Sequence, residues 1–349
     1  MEFVVLVLAF VVILVGAELF TNGIEWFGRK LELAEGAVGS VLAAVGTALP
    51  ETMIPIVAII FGTADAAHDI GVGAILGAPF MLSTLAMFVT GVAVLAMART
   101  RPAGDVMSVD TRVLAHDMRY FVIGYAVAIG VAFVPPGVGW VHPLAATFLL
   151  GLYAWYVKAH FEADPDVDAA DLAPLRFGRL DRAARRDSPA VPRLRVVNLQ
   201  VLFALGCIVV GAVAFVDAVG DIATDFGVDG TLLALVVAPI ATELPEKFNS
   251  IIWVRQGKDT LAMGNITGAM VFQSTIPTVV ALLFASEAWT IGPGSYTAFA
   301  SAGIAFVSSA AIFVPMARRG RLRGRGLLIG GAFYLLYLGF VVTVVAGWR

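Results

Sequence analysis

The chain has 349 residues, of which 59% are hydrophobic and 14% are charged, and its mean hydropathy is +0.89. Soluble domains carry about a quarter charged residues, so this composition excludes an ordinary soluble domain and indicates a polytopic membrane protein. The formal net charge is −3, and we expect no nucleic-acid partner. A single cysteine, Cys207, excludes an internal disulfide and a CxxC metal site.

Apolar runs of about 20 residues, the length that crosses a bilayer, follow one another along the chain. They predict an all-α membrane protein with ten transmembrane helices. The predicted spans lie near 3–22, 37–61, 70–98, 117–135, 140–160, 197–217, 230–255, 260–285, 295–317 and 326–347. The longest polar stretch, 161–196, is expected to be a solvated cytoplasmic linker between 1–160 and 197–349.

Positive charges alternate between the loops that join these spans. Lys and Arg cluster after every odd-numbered span, whereas the loops near 63–69, 136–139, 218–229 and 286–294 contain neither residue. Cytoplasmic loops of membrane proteins are rich in Lys and Arg. The pattern therefore predicts a multi-pass protein embedded in the lipid bilayer of the cell membrane, with both termini extracytoplasmic.

The two halves of the chain are copies of one unit. At a fixed offset of 195 residues, Gly16 aligns with Gly211, and Thr47-x-Leu49-Pro50-Glu51 aligns with Thr242-x-Leu244-Pro245-Glu246. Each copy contains five spans, an odd number, so the second copy must enter the membrane in the opposite orientation. The sequence therefore predicts two inverted five-helix repeats, an architecture typical of secondary transporters.

Each copy carries a Pro-Glu pair in the middle of an apolar span, where a charge is costly and usually functional. Pro50 and Pro245 each remove a backbone donor, which should free carbonyls near residues 46 and 241. The candidate ligands are Thr47 and Glu51 in the first copy and Thr242 and Glu246 in the second. Such an all-oxygen set suits Ca²⁺ rather than zinc or copper. The alternative is a pair of ordinary proline kinks whose glutamates face a polar crevice.

These motifs resemble those of the calcium/cation antiporter superfamily, the sodium/calcium exchangers and their relatives. The family's G-T-S-x-P-E helix corresponds to Gly46-Thr47-Ala48-Leu49-Pro50-Glu51 and Ala241-Thr242-Glu243-Leu244-Pro245-Glu246. Its G-N-x-x-G-S-N-x-F helix corresponds to 73–80 and 264–272, where Gly73, Gly77, Gly264 and Gly268 would let this helix pack closely against the site. The resemblance implies ten helices, Ca²⁺ carried between Glu51 and Glu246 with no cofactor, and antiport against Na⁺ or H⁺.

Several positions that supply oxygen ligands in sodium-coupled relatives carry other residues in this chain. These positions are Ala48, Glu243, Ala78, Ala269, Leu82 and Gln273. Their identities favour protons, carried on Glu51, Glu246 and the nearby Glu243, over Na⁺ as the coupling ion. Lys247, four residues after Glu243, can pair with it. Gln273 and Asn265 can still complete one sodium site, so both coupling ions remain open.

Three functions compete at this stage. The leading hypothesis is a secondary antiporter, the second a passive cation channel, and the third an intramembrane hydrolase with paired carboxylates. No nucleophile or His accompanies either Pro-Glu motif, so we do not expect an enzyme. The histidines His68, His116 and His142 fall at predicted span ends, where a solvated imidazole is expected.

Overall fold

Helices dominate the computed structural model of this chain. The structure describes residues 2–48, 51–52, 55–56, 59–60, 65–135, 138–162, 172–180, 192–225, 243–292 and 295–347. The α-helices are α1 (Glu2–Lys30), α2 (Glu35–Ala37), α3 (Ala44–Thr47), α4 (Asp65–Met81), α5 (Met87–Ala96), α6 (Thr111–Val131), α7 (Val141–Phe161), α8 (Leu194–Asp225), α9 (Leu244–Gln256), α10 (Asp259–Phe284), α11 (Tyr296–Arg319), α12 (Gly324–Leu327) and α13 (Ile329–Gly347). This architecture agrees with the predicted all-α fold.

Shorter elements complete the described chain. Two π-helical turns, Val38–Ala43 and Leu82–Ala86, interrupt the α-helices of the two motif regions in the first half. Such turns occur frequently at functional sites. A 3₁₀ turn covers Arg176–Leu180, and strands β1 (Val106–Met107) and β2 (Leu322–Arg323) form one antiparallel pair.

Among the described residues, helical segments occur at all ten predicted span positions, although parts of the second span and residues 230–242 of the seventh lie outside the described chain. Within the described residues, six helices are long and apolar enough to cross a membrane. They are Phe3–Lys30, Gly71–Ala96, Leu194–Gly211, Asp259–Phe284, Tyr296–Arg319 and Gly324–Val344. A multi-pass membrane protein follows from these helices, and the ten-span count stays a prediction with which the helix positions agree.

Helices α1 and α8, which are equivalent in the repeat, pack against each other in a reciprocal way. A Cβ atom on Gly16 would lie 3.0 Å from Ile208 Cγ1, and one on Gly211 would lie 2.9 Å from Ile13 Cγ1. The offset of 195 converts one contact into the other, as in an interface with two-fold symmetry. The two pairs also require the helices to run antiparallel, which is the arrangement that an inverted repeat needs.

Helix α10 is buried over almost its whole length and packs against the first π-helical turn, α6 and α7. A Cβ atom on Gly264 would lie 2.9 Å from Ser40 Oγ, and one on Gly268 would lie 2.5 Å from the Ser40 carbonyl carbon. The close packing expected at these two glycines is therefore confirmed. By the offset of 195, the residues equivalent to Ser40, which would face Gly73 and Gly77, lie near 235. Those residues are outside the described chain, so the packing of Gly73 and Gly77 stays a prediction.

The described part of the linker is anchored to both halves rather than free in solvent. Trp26 Nε1 donates a hydrogen bond to the Ala173 carbonyl at 2.9 Å, and the Arg176 N–H donates to Asn22 Oδ1 at 3.0 Å. The Phe177 N–H donates to Gln200 Oε1 of α8 at 2.8 Å. Residues 172–180 therefore bridge α1 and α8, while the expectation of a solvated linker for 163–171 and 181–191 falls outside the described chain.

Candidate functional site

Glu51 and Glu246, the glutamates of the two Pro-Glu motifs, are buried, with 8% and 0% of their surface exposed. Their carboxyl groups lie close enough for their charges to interact. All four carboxyl oxygens lack a hydrogen-bond partner among the described residues. Buried carboxylates without partners are strongly destabilising. These oxygens are therefore available to a cation or to protons.

The backbone differs between the two glutamates, and around Glu246 it favours a negative charge. Helix α9 begins at Leu244 with Pro245 in its first turn, and Glu246 lies in that turn. The first N–H groups of a helix have no helical partner, and the helix dipole favours a carboxylate there. In the first copy the Thr52 N–H donates to the Ala48 carbonyl at 3.1 Å, so the chain is helical past Glu51.

Thr47 and Asn265 connect the two copies. Thr47 Oγ1 lies 3.0 Å from the Ala43 carbonyl oxygen and 3.1 Å from Asn265 Oδ1. Asn265 Nδ2 in turn donates to the Glu246 carbonyl at 3.5 Å. One amide of α10 therefore contacts the motif helices of both halves. Thr242, the equivalent of Thr47, lies outside the described residues.

Gln273, also on α10, reaches the first motif from the second half of the chain. Its Nε2 donates to the Ala48 carbonyl at 3.4 Å, and its side chain is buried. Together with Asn265 it places two amide groups of α10 against the helix that carries Thr47 and Glu51. The structure thus brings Thr47, Glu51, Glu246 and Gln273 into one buried region.

Glu243 lies in this region but is engaged by a neighbour. Lys247 Nζ lies 2.7 Å from Glu243 Oε2, and the two side chains are 6% and 2% exposed. Within the described chain, no three Asp, Glu, His or Cys side chains converge as a metal centre requires. The described site is therefore a pair of carboxylates with neutral oxygens nearby and an ion pair beside it.

A second buried polar cluster was not predicted from the sequence. Asp117 is fully buried, and its Oδ2 accepts hydrogen bonds from Ser40 Oγ, at 2.8 Å, and from Thr267 Oγ1. Its Oδ1 accepts from Tyr156 OH at 3.0 Å and lies 3.1 Å from His160 Nε2. Hydropathy places Asp117 at the start of the predicted fourth span, where a solvent-exposed charged residue is expected. Helix α6 begins six residues earlier, which is why this residue is inside the bundle.

The expectation of solvated histidines at span ends is wrong for His142. This side chain is only 3% exposed, and its Nε2 has no hydrogen-bond partner among the described residues. His116 is half-buried, and the side chain of His68 lies outside the description. The carbonyls expected to be freed near residues 46 and 241 also stay predictions, because Pro50 and residue 241 are not described.

Comparison of the sequence with known families gives one match over most of the chain. The family described as "Sodium/calcium exchanger protein" matches residues 1–160 and 197–346. The match leaves out 161–196, the segment that the sequence predicts to be a linker. Among curated proteins, "Putative antiporter CaxA" of Alkalimonas amylolytica is 27% identical over 146 residues, which are 41% of this chain and 44% of that protein. The chain therefore matches less than half the length of that relative.

Solved structures of a sodium-calcium exchanger, NCX_Mj, share the fold. The form soaked with 100 mM Na⁺ and 10 mM Sr²⁺ has a TM-score of 0.70 and 15% identity, covering 97% of both chains. The form soaked with 2.5 mM Na⁺ and 0.1 mM Sr²⁺ has a TM-score of 0.71 and 16% identity, covering 97% of this chain and 99% of that one. At this identity the match establishes the fold alone.

Proposed function

The chain belongs to the sodium/calcium exchanger protein family, and from this premise we propose that it is a secondary antiporter exchanging Ca²⁺ for a monovalent cation across the cell membrane. The observation that carries the proposal is the buried pair of Glu51 and Glu246, whose four oxygens have no partner among the described residues. Two buried negative charges match one divalent ion. Because each repeat supplies one of them, rearrangement of the repeats around the ion would give alternating access.

The ligand set that we propose follows the chemistry of the region. Ca²⁺ takes six to eight oxygens in flexible geometry, so two carboxylates need neutral partners to complete the shell. We assign those partners to the hydroxyl of Thr47, its repeat equivalent Thr242 and the amide of Gln273, with water filling the remainder. Glu243 is assigned to its ion pair with Lys247 rather than to the ion, because one of its oxygens is engaged.

We propose H⁺ as the preferred counter-ion, with Na⁺ as the alternative that the family suggests. The residues at four positions expected to supply sodium ligands are Ala48, Ala78, Leu82 and Ala269, and all four side chains are buried and apolar. A sodium ion needs several oxygens to replace its hydration shell, as any dehydrated cation does. A proton needs a single carboxyl group, which the Glu51 and Glu246 pair supplies.

The competing functions differ from this one in coupling and chemistry. The matched family and the matched proteins are exchangers and antiporters, which disfavours the hydrolase. A passive cation channel would also use carboxylates at membrane depth, but its flux would need no counter-ion.

The extracytoplasmic position of both termini is likewise proposed, on the alternation of Lys and Arg between loops.

The test is Ca²⁺ flux in proteoliposomes containing the purified full chain. Glu51→Gln and Glu246→Gln should each abolish Ca²⁺ uptake, because a divalent ion in a water-excluded site needs both charges. Glu287→Gln, at an exposed glutamate of a loop, is the matched control and should transport normally. Normal uptake by either site variant would refute the shared site. A Ca²⁺ flux that needs no counter-ion gradient and does not saturate with Ca²⁺ concentration would instead identify a channel.

The counter-ion is tested in the same vesicles. With Ca²⁺ inside, an inward proton gradient should drive Ca²⁺ efflux without Na⁺. Efflux that requires Na⁺ and ignores pH between about 6 and 8, a range in which only carboxyl groups with strongly raised proton affinity change protonation, would refute proton coupling. The exchange of Ca²⁺ itself would stand in that case.

A further inference from the structure

The ion pair between Glu243 and Lys247 lies one helical turn from the carboxylate that the proposed function uses. Lys247 Nζ and Glu243 Oε2 are 2.7 Å apart, and both side chains are almost fully buried. Burying two opposite charges costs more desolvation free energy than a neutral pair of the same size, so such a pair is a weak stabiliser. Its presence beside Glu246 therefore suggests a role other than stability.

The repeat supplies an internal comparison for this pair. At the offset of 195, Glu243 and Lys247 correspond to Ala48 and Thr52. Thr52 Oγ1 donates to the Ala48 carbonyl at 2.6 Å, so the first copy links the same two positions with a neutral hydrogen bond. A neutral link is thus sufficient for this turn of the fold. The charged version in the second copy must be explained by its surroundings.

Those surroundings contain two further negative charges. Glu51 and Glu246 both interact electrostatically with Glu243, so the region holds three carboxyl groups and one ammonium group. The side chains that α10 contributes, Asn265 and Gln273, are neutral. With all four groups ionised, the ammonium leaves two negative charges uncompensated, which is the charge of one divalent ion.

We propose that Lys247 is a tethered cation that takes the place of a mobile monovalent ion beside the Glu51 and Glu246 site. Lys247 compensates Glu243 permanently, so the site accepts one divalent ion without binding a monovalent ion together with it. The inference rests on the proposed function, since it defines the charge of that same site. It concerns the composition of the bound state and applies whether H⁺ or Na⁺ is exchanged.

Three variants separate this role from a purely structural one. Lys247→Gln leaves Glu243 uncompensated, so the Ca²⁺-bound state keeps one negative charge that a monovalent ion can neutralise; Ca²⁺ binding by this variant should be several-fold weaker in choline buffer than in K⁺ or Na⁺ buffer, a dependence that the unmodified protein should not show. Glu243→Gln leaves the ammonium unpaired, so Ca²⁺ binding should fall and no monovalent ion should restore it. The double variant, Glu243→Gln with Lys247→Gln, has the original net charge and should bind Ca²⁺ nearly as the unmodified protein does, without monovalent ions.

The measurement is ⁴⁵Ca²⁺ binding to the purified full chain in detergent, followed by Ca²⁺ uptake in proteoliposomes, each in choline, K⁺ and Na⁺ buffers. The matched control is Lys158→Gln, which removes the lysine of an exposed pair with the same four-residue spacing, Lys158 and Glu162. This control should bind Ca²⁺ normally in all three buffers. If Lys247→Gln does not fold, the comparison of Glu243→Gln with the double variant carries the test.

The outcomes distinguish the two proposals. If the unmodified protein binds and transports Ca²⁺ but the double variant is as impaired as the single variants, the tethered-cation role is wrong and the antiporter stands. A Lys247→Gln protein that folds and is indifferent to K⁺ and Na⁺ would overturn the tethered-cation role in the same way. If the unmodified protein binds and moves no divalent ion, both proposals are overturned.

Discussion

Among the described glycines, Gly268 comes closest to the backbone of a neighbouring segment, and Gly268→Ala tests that contact directly. A Cβ atom there would lie 2.5 Å from the carbonyl carbon of Ser40 and closer still to its oxygen. Both groups are backbone, so neither can rotate away. Helix α10 and the π-helical turn Val38–Ala43 would have to separate by roughly 1.5 Å to restore an ordinary contact.

The expected magnitude follows from the atoms that collide. Overpacking usually costs about 1–3 kcal/mol, and a collision with immobile backbone belongs at or above the upper end of that range. For Gly264→Ala the nearest atom is Ser40 Oγ at 2.9 Å, a side-chain atom that can rotate if it gives up its bond to Asp117. We expect about 1.5–3 kcal/mol there, the value of one hydrogen bond to a charged group, offset in part by the helical preference for Ala over Gly.

Thermal unfolding in detergent and Ca²⁺ uptake in proteoliposomes provide the two readouts. Gly151→Ala on α7 is the matched control, because no described atom lies within 4 Å of its new methyl group. Replacing a helical Gly by Ala gains about 0.5–1 kcal/mol, so this control should be as stable as the unmodified protein or more so. The melting temperature should therefore decrease in the order Gly151→Ala, Gly264→Ala, Gly268→Ala.

The separation also predicts a loss of transport that exceeds the loss of stability. Moving α10 away from Ser40 would lengthen the contact between Asn265 and Thr47, now 3.1 Å. Gly268→Ala should therefore transport poorly even at temperatures at which it remains folded. A Gly268→Ala protein with the melting temperature and uptake of the unmodified protein would refute the packing argument. Equal damage by all three alanines would refute it as well.

Two further predictions concern the buried cluster and the topology. Asp117→Asn should destabilise the protein by about 3–5 kcal/mol, because it removes the charge that faces His160 in a buried network. Thermal unfolding measures this, and Asp105→Asn, which loses only a 3.5 Å contact to the 78% exposed Arg325, should change little. In a background without Cys207, Thr290→Cys should react with an impermeant maleimide applied outside cells and Leu180→Cys should not. External labelling at 180 would reverse the proposed orientation.

Hydropathy predicted where the helices lie, but it placed several helix ends too early or too late. The first predicted span ends at 22, whereas α1 continues to Lys30. Polar residues at this end of α1 are buried against α9: Thr21 Oγ1 lies 2.6 Å from Asn249 Oδ1, and Glu25 accepts from Trp253 Nε1 at 2.8 Å. A single sequence does not reveal such tertiary partners. A polar residue therefore resembles the end of a span even when it lies inside the bundle.

The repeated motif was the stronger signal for the site. Two copies of Thr-x-Leu-Pro-Glu identify Glu51 and Glu246 from the sequence alone, and the structure brings both into one buried region. The pairing of Glu243 with Lys247 was visible as a four-residue spacing, although its burial was not. Asp117 carried no comparable signal, since its partners come from three different segments of the chain.

Ser40 shows why the position of the site depends on contacts that lie outside the motif. Its hydroxyl donates to Asp117 at 2.8 Å, its carbonyl oxygen lies 3.0 Å from Tyr156 OH, and its backbone lies against Gly268. These contacts hold the π-helical turn Val38–Ala43 against α6, α7 and α10. Thr47 is the last residue of α3, the helical segment that directly follows this turn. Its distance to Asn265 on α10 is therefore determined by the same contacts. A substitution at Gly268 or Asp117 should therefore change ion binding without touching either carboxylate of the proposed site.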